Sequence, residues 1–114
     1  VNAFGAATAR APSARAQCLE AYQHLVAAGK SDADIESALE ALALSLADLV
    51  PSVVGDLEVA TRIGDIRAMV EAHLLAVYQL DAAGADPSRA SLVLRRAYRQ
   101  ACADLARLVG AGQD

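Results

Sequence analysis

Residues 31–50 read SDADIESALEALALSLADLV. The large apolar residues Ile35, Leu39, Leu42, Leu46 and Leu49 recur at steps of four, three, four and three, which is the period of one helix face and not the alternation of a strand. Ser31 and Asp34 stand at capping-box spacing, with Asp in place of the usual Glu, so the spacing predicts a helix beginning near Asp32. Pro51 ends it, because proline lacks the backbone N–H and clashes with the preceding turn. A helix over 32–50 with an apolar stripe along its whole length needs a partner surface equally long.

Working outward, Val59, Ile63, Ile66, Val70, His73, Val77 and Leu80 repeat the same steps and predict a helix over about 56–82. PSVVGD before it is a break with Gly55 as its soft point. Gly64 costs about 1 kcal/mol inside a helix and reads as a close helix crossing. DAAGADP closes that helix; Asp86 then caps another, with Pro87 at its first position and Gly110 past its end. Its seam over about 87–109 is Leu94, Ala97, Ala101, Leu105 and Leu108. Upstream, Pro12 and Ser13 start a helix over about 13–29, with Leu19, Tyr22, Leu25 and Val26 as its stripe up to Gly29. Residues 1–11 (VNAFGAATARA) hold little to pack besides Val1 and Phe4 and read as an N-terminal arm whose Phe4 can dock into a groove. Four amphipathic helices on short loops make an all-α, antiparallel four-helix bundle with a short arm, a single domain over all 114 residues.

Composition narrows the function classes. The chain is 55% hydrophobic with only 4% aromatic residues and no Trp, so the core is built from Leu, Val, Ile and Ala. Glu40, Asp48, Asp56 and Glu58 interrupt each apolar run before the roughly 20 residues a membrane span needs. VNAFGAATARAPSARAQ lacks the leucine-rich core of a signal peptide, which makes the cytoplasm the expected location and leaves a removed leader open. Cys18 and Cys102 have no CxxC spacing and read as buried free thiols. Nine Arg against one Lys, with abundant alanine, suggests a GC-rich bacterial genome. Net charge is −4, unevenly placed: residues 20–86 carry twelve acids against three bases, and residues 87–109 five Arg against one Asp.

Four constellations invite chemistry. His73, in EAHLLAVYQL, lies on the apolar seam between Val70 and Val77. Ala72, His73 and Leu75 resemble a histidine phosphotransfer domain, which follows its histidine with Lys and Gly; Ala76 and Val77 stand there in this chain. A hydrogen-bonded core or edge histidine is the plainer reading. Glu20 and His24, one helical turn apart, form a solvated ion pair or a weak metal contact, but no Glu-x-x-His pair of a di-iron bundle occurs, and no metal or other cofactor is expected. No Gly-rich phosphate loop, nucleophile elbow or Cys-His arrangement is present, so the chain is not expected to be an enzyme. Arg89, Arg95, Arg96, Arg99 and Arg107 fall within an arc of about 120° opposite the last helix's seam. That face is either solvated and paired with a neighbouring helix's acids, or a contact for an acidic protein. Nucleic acid is not expected, since the chain is acidic overall and only Tyr98, off the arc, interleaves the arginines. Finally, Leu44, Val53, Val54, Leu57, Leu74, Leu75, Leu92 and Val93 lie beside or off the seams, which fits a generous core, a groove for an amphipathic helix, or a homodimer face.

The DP-started last helix (Asp86, Pro87, then Val93, Leu94 and Arg95), the arm and the apolar grooves resemble the flagellin-export chaperones of bacteria. The opening Ala3, Phe4, Gly5, Ala6 and Ala7 is similar to the start of the small regulators of flagellin synthesis. The resemblance implies a non-enzymatic bundle whose grooves hold the helical terminus of an export substrate. The expected function is therefore a secretion or flagellar export chaperone or adaptor, with Phe4, Leu44, Val53, Val54, Arg95, Arg96 and Arg99 as contact residues for the client's amphipathic helix or for self-association. Phosphotransfer through His73 is the alternative, and a homodimeric structural protein the second alternative.

Overall fold

The computed structural model describes residues 13–29, 31–49 and 57–110. Four helices run through them: α1 (Ala14–Ala27), α2 (Asp32–Leu49), α3 (Leu57–Ala82) and α4 (Pro87–Val109), with no strand among the described residues. Their starts are set by side chains that satisfy the orphan N–H groups of a first turn. Ser13 Oγ accepts from Ala16 N–H (3.1 Å), Ser31 Oγ from Asp34 N–H (3.1 Å), and Asp86 from Ser88 N–H (3.0 Å) with Pro87 next. The last of these bonds holds the Asp86 carboxyl below the usual carboxylate range. Glycine sets two of the ends. Gly84 takes a left-handed φ of 72°, Ala85 N–H reaches back to Leu80 O (3.0 Å) and Gly84 N–H to Asp81 O (3.1 Å), the paired bonds of a Schellman motif. Gly110, at φ 78°, ends α4 likewise, its N–H turned onto Ala106 O and Arg107 O.

The four-helix architecture follows from where the seams go. Ile35, Leu39, Leu42, Leu46 and Leu49 of α2 meet Ile63, Ile66, Val70 and Val77 of α3 and Leu94, Ala97, Ala101, Leu105 and Leu108 of α4 in one buried cluster. Each fully buried Leu or Ile contributes about 1.5–3 kcal/mol over its exposed state. Neighbours around the bundle follow chain order, with α1 closing the circuit against α4, while α2 and α4 also touch across the middle and α1 and α3 scarcely meet.

Several expectations are corrected. On α1 the buried positions are Cys18 and Leu25, whereas Leu19 and Val26 are exposed and Tyr22 is half-buried. Cys18 and Leu25, seven apart, with Ala14, Ala21 and Tyr22 partly buried beside them, seat this helix. Leu74 is not off the seam but in the core, because α3 faces both α2 and α4 and needs a wider apolar stripe. Cys18 is buried but Cys102 only half so; both are free, and burial pushes both thiols up. Gly64 marks no crossing among the described residues, none of which lies within 4 Å of where its Cβ would stand. The close approach is at Gly29, where a Cβ would strike the Tyr98 ring (2.9 Å from Cζ). Tyr98 is held there by donating to Val26 O (3.2 Å), a tie from α4 to the end of α1. The expected arm, with Phe4, lies outside the described residues, as do Val53 and Val54.

Candidate functional site

Among the described residues, a concavity of about 770 Å³ lies between α1 and α2. It opens because α1 packs more fully on α4 than on α2, and because the facing side chains are too short to fill the space. From α2 these are Ser37, Ala38, Ala41 and Ser45; from α1 and its C-cap, Ala21, Ala27 and Ala28. Leu25, Leu42 and Leu49 form the apolar floor. The walls carry the exposed carboxylates of Glu20, Asp34 and Asp48, and no Lys or Arg among the described lining residues offsets them. Helical geometry lines them up: Asp34, Ser37, Ala41, Ser45 and Asp48 step by three, four, four and three along α2, a row of small residues closed by an acid at each end. His24 also faces the groove, and no ion pair joins it to Glu20.

The outward face of α4 is the opposite in charge. Arg89, Leu92, Arg96, Arg99 and Ala103 are exposed and step by three, four, three and four. Leu92, 68% exposed, sits between Arg89 and Arg96. Of the residues expected to contact a partner, Arg96 and Arg99 lie on this face without an ion pair among the described residues. Arg95 does not join them in being available: its guanidinium lies 2.8 Å from Asp32 Oδ1 on α2, off hydrogen-bond geometry and so held by charge. Arg107 pairs within α4 to Asp104. Among the described residues, the expected cross-helix pairing of the arginine arc is thus confined to Arg95. Leu44, 72% exposed, points away from the core and does not line the groove. Sequence patterning singles out Glu20 and His24 and the floor leucines but none of the small wall residues, although the three-and-four spacing from Asp34 to Asp48 is present in the chain; a search for large apolar residues passes over alanine and serine.

His73 is half-buried on α3. Its Nδ1 is 2.8 Å from Met69 O, and a carbonyl only accepts, so Nδ1 carries a hydrogen and donates; in the neutral ring this leaves the lone pair on Nε2. Between α2 and α3 lies an acidic cluster. Burial, then the charges of Glu40 and Asp81, push the Glu36 carboxyl up. Tyr78 donates to Glu40, and that bond, more than the burial and acidic charge that assist it, pushes the phenol up to about 12. No group of three or more His, Cys, Asp or Glu among the described residues could hold a metal ion. No helix among them is long and apolar enough to cross a membrane. Comparison of the chain with protein-family models, with curated proteins and with solved structures finds no match.

Proposed function

We propose that the chain is a non-enzymatic binding module that holds an amphipathic helix of a client protein in the groove between α1 and α2, the work of a secretion or flagellar export chaperone or adaptor. One observation carries the reading: the groove has an apolar floor, small-residue walls and carboxylates that no Lys or Arg among the described lining residues offsets, which suits a helix with an apolar ridge and basic flanks. The groove replaces Leu44 as the contact surface, and the client helix is expected to be Lys- or Arg-rich beside its ridge.

The test is a photo-crosslinking amino acid at Ala41, in the groove, and at Gln79, exposed on α3, introduced into the protein in its own cells. Capture of a basic amphipathic segment of one protein from position 41, and not from 79, supports the reading. The same background from both positions refutes it.

A second reading, phosphotransfer, is favoured by the His73 tautomer, because Nε2 keeps the lone pair that would take a phosphoryl group. Its helix neighbours Ala72, Ala76 and Val77 offer no cation to that group. Incubation with acetyl phosphate followed by ³¹P NMR decides it: a phosphoramidate signal absent from His73→Gln supports transfer, and no signal from the native protein excludes it.

A further inference from the structure

The groove has a counterpart on the same chain. α4 carries five arginines against one aspartate, a net +4, while the chain as a whole is −4, so everything outside α4 sums to −8. Such separation of sign within one molecule creates two faces that attract between copies. The outer row of α4, from Arg89 to Ala103, spans fourteen residue steps, or about 21 Å, and the acid-ended row of α2, from Asp34 to Asp48, spans the same. One is a ridge with the exposed Leu92 between Arg89 and Arg96; the other borders a groove with an apolar floor. Length, charge and apolar content therefore match between the exposed ridge and the groove.

We infer that the occupant of the α1–α2 groove, in the absence of a client, is the arginine-and-Leu92 face of α4 from a second copy of this chain. This rests on the groove being a helix-binding site and adds what fills it. The two surfaces lie on different sides of the bundle, because α4 packs against α1 and α3 while the groove opens between α1 and α2. One pair of copies cannot satisfy both contacts at once. The contact is heterologous, each copy offering a groove at one side and a ridge at the other, and it propagates beyond two. A single helix face buries less than the roughly 1,200 Å² of a standard stable interface, so the association is weak, salt-sensitive and displaced by a client helix with the same charge pattern.

The experiment is sedimentation equilibrium of the intact chain from low to high micromolar concentration, at low salt and at about 1 M salt, where the screening length falls to about 3 Å. Two variants accompany it: Ala41→Trp to fill the groove and Leu92→Asp to spoil the ridge. Both positions are exposed, and circular dichroism with thermal unfolding checks that each variant keeps its helices. The native chain is expected to climb past twice its 11.8 kDa mass at low salt, and to return toward one copy at high salt. Each variant alone stays a single copy. Their equimolar mixture, with one intact ridge facing one intact groove, forms pairs and stops at two. A native chain that stays single throughout overturns the inference, as does a mixture of variants that stays single while the native chain associates. If the native chain is single but a client still crosslinks to position 41, this inference fails and the client reading stands; if neither occurs, both fail.

Discussion

Two glycines with opposite surroundings give the sharpest test of the packing. Gly64 lies in α3 with no described residue within 4 Å of the place a Cβ would take, so Gly64→Ala is expected to remove the glycine penalty of about 1 kcal/mol without a clash. A gain of that size in a domain near 100 residues corresponds to a rise in Tm of about 4 °C. Gly29 follows the end of α1, where there is no helix-propensity gain to collect, and a Cβ there would lie 2.9 Å from Tyr98 Cζ. The ring must move, which breaks its bond to Val26 O, worth about 1 kcal/mol net. Some of the contact that keeps Tyr98 half-buried against the core is lost as well. Gly29→Ala is therefore expected to destabilise by about 1–2 kcal/mol. Urea unfolding read by circular dichroism gives both numbers, provided the m-value is unchanged. A neutral or destabilising Gly64→Ala would mean that another segment does cross there, and a neutral Gly29→Ala that the Tyr98 ring is not held.

Tyr78 is expected to ionise near pH 12, above its ordinary value of 10, in a spectrophotometric titration; Glu40→Gln brings it back toward 10, and an unchanged curve in that variant denies the bond. Because the folded value is the higher one, whatever stability the bond supplies is fully present below pH 10 and lost as pH rises from 10 to 12. Solvent exposure of the phenol keeps that contribution small, on the order of 1 kcal/mol or less. Leu46→Ala, at a position 0% exposed, should cost about 2–5 kcal/mol in chemical denaturation, whereas Leu44→Ala, two residues away, should stay within about 0.5 kcal/mol. Equal effects would place the α2 seam on the wrong face.

The helices are legible in the sequence because their signals are local and redundant. In α2 a three-and-four seam, a Ser31 cap and a following proline all agree, and in α4 Asp86, Pro87 and Gly110 mark both ends. α1 is less legible: Leu19 and Val26 look like stripe residues, but which side of a weakly amphipathic helix turns inward is decided by the partner, here α4, and Cys18 and Leu25 win. Gly64 misleads for a related reason, since a glycine in a helix records a permissive backbone and not what stands opposite it. The groove depends on α1 packing more fully on α4 than on α2 and on facing side chains that are small, and neither leaves a mark on a hydrophobic pattern. The arginine face of α4 is visible as charge; that Arg95 is tied to Asp32 while Arg96 and Arg99 face outward is tertiary information.

The loose seating of α1 sets the order in which the molecule opens. α2, α3 and α4 each touch the other two, while α1 scarcely meets α3 and buries only Cys18 and Leu25. Amide hydrogens of α1 should then exchange with solvent through a partial opening that leaves the other three helices protected, with a free energy below that of global unfolding. The wall of the groove belongs to that least-protected unit. An incoming helix wider than the resting gap would be admitted by a swing of α1 on its Tyr98 tether, and its arrival would be read as slowed exchange in α1 alone.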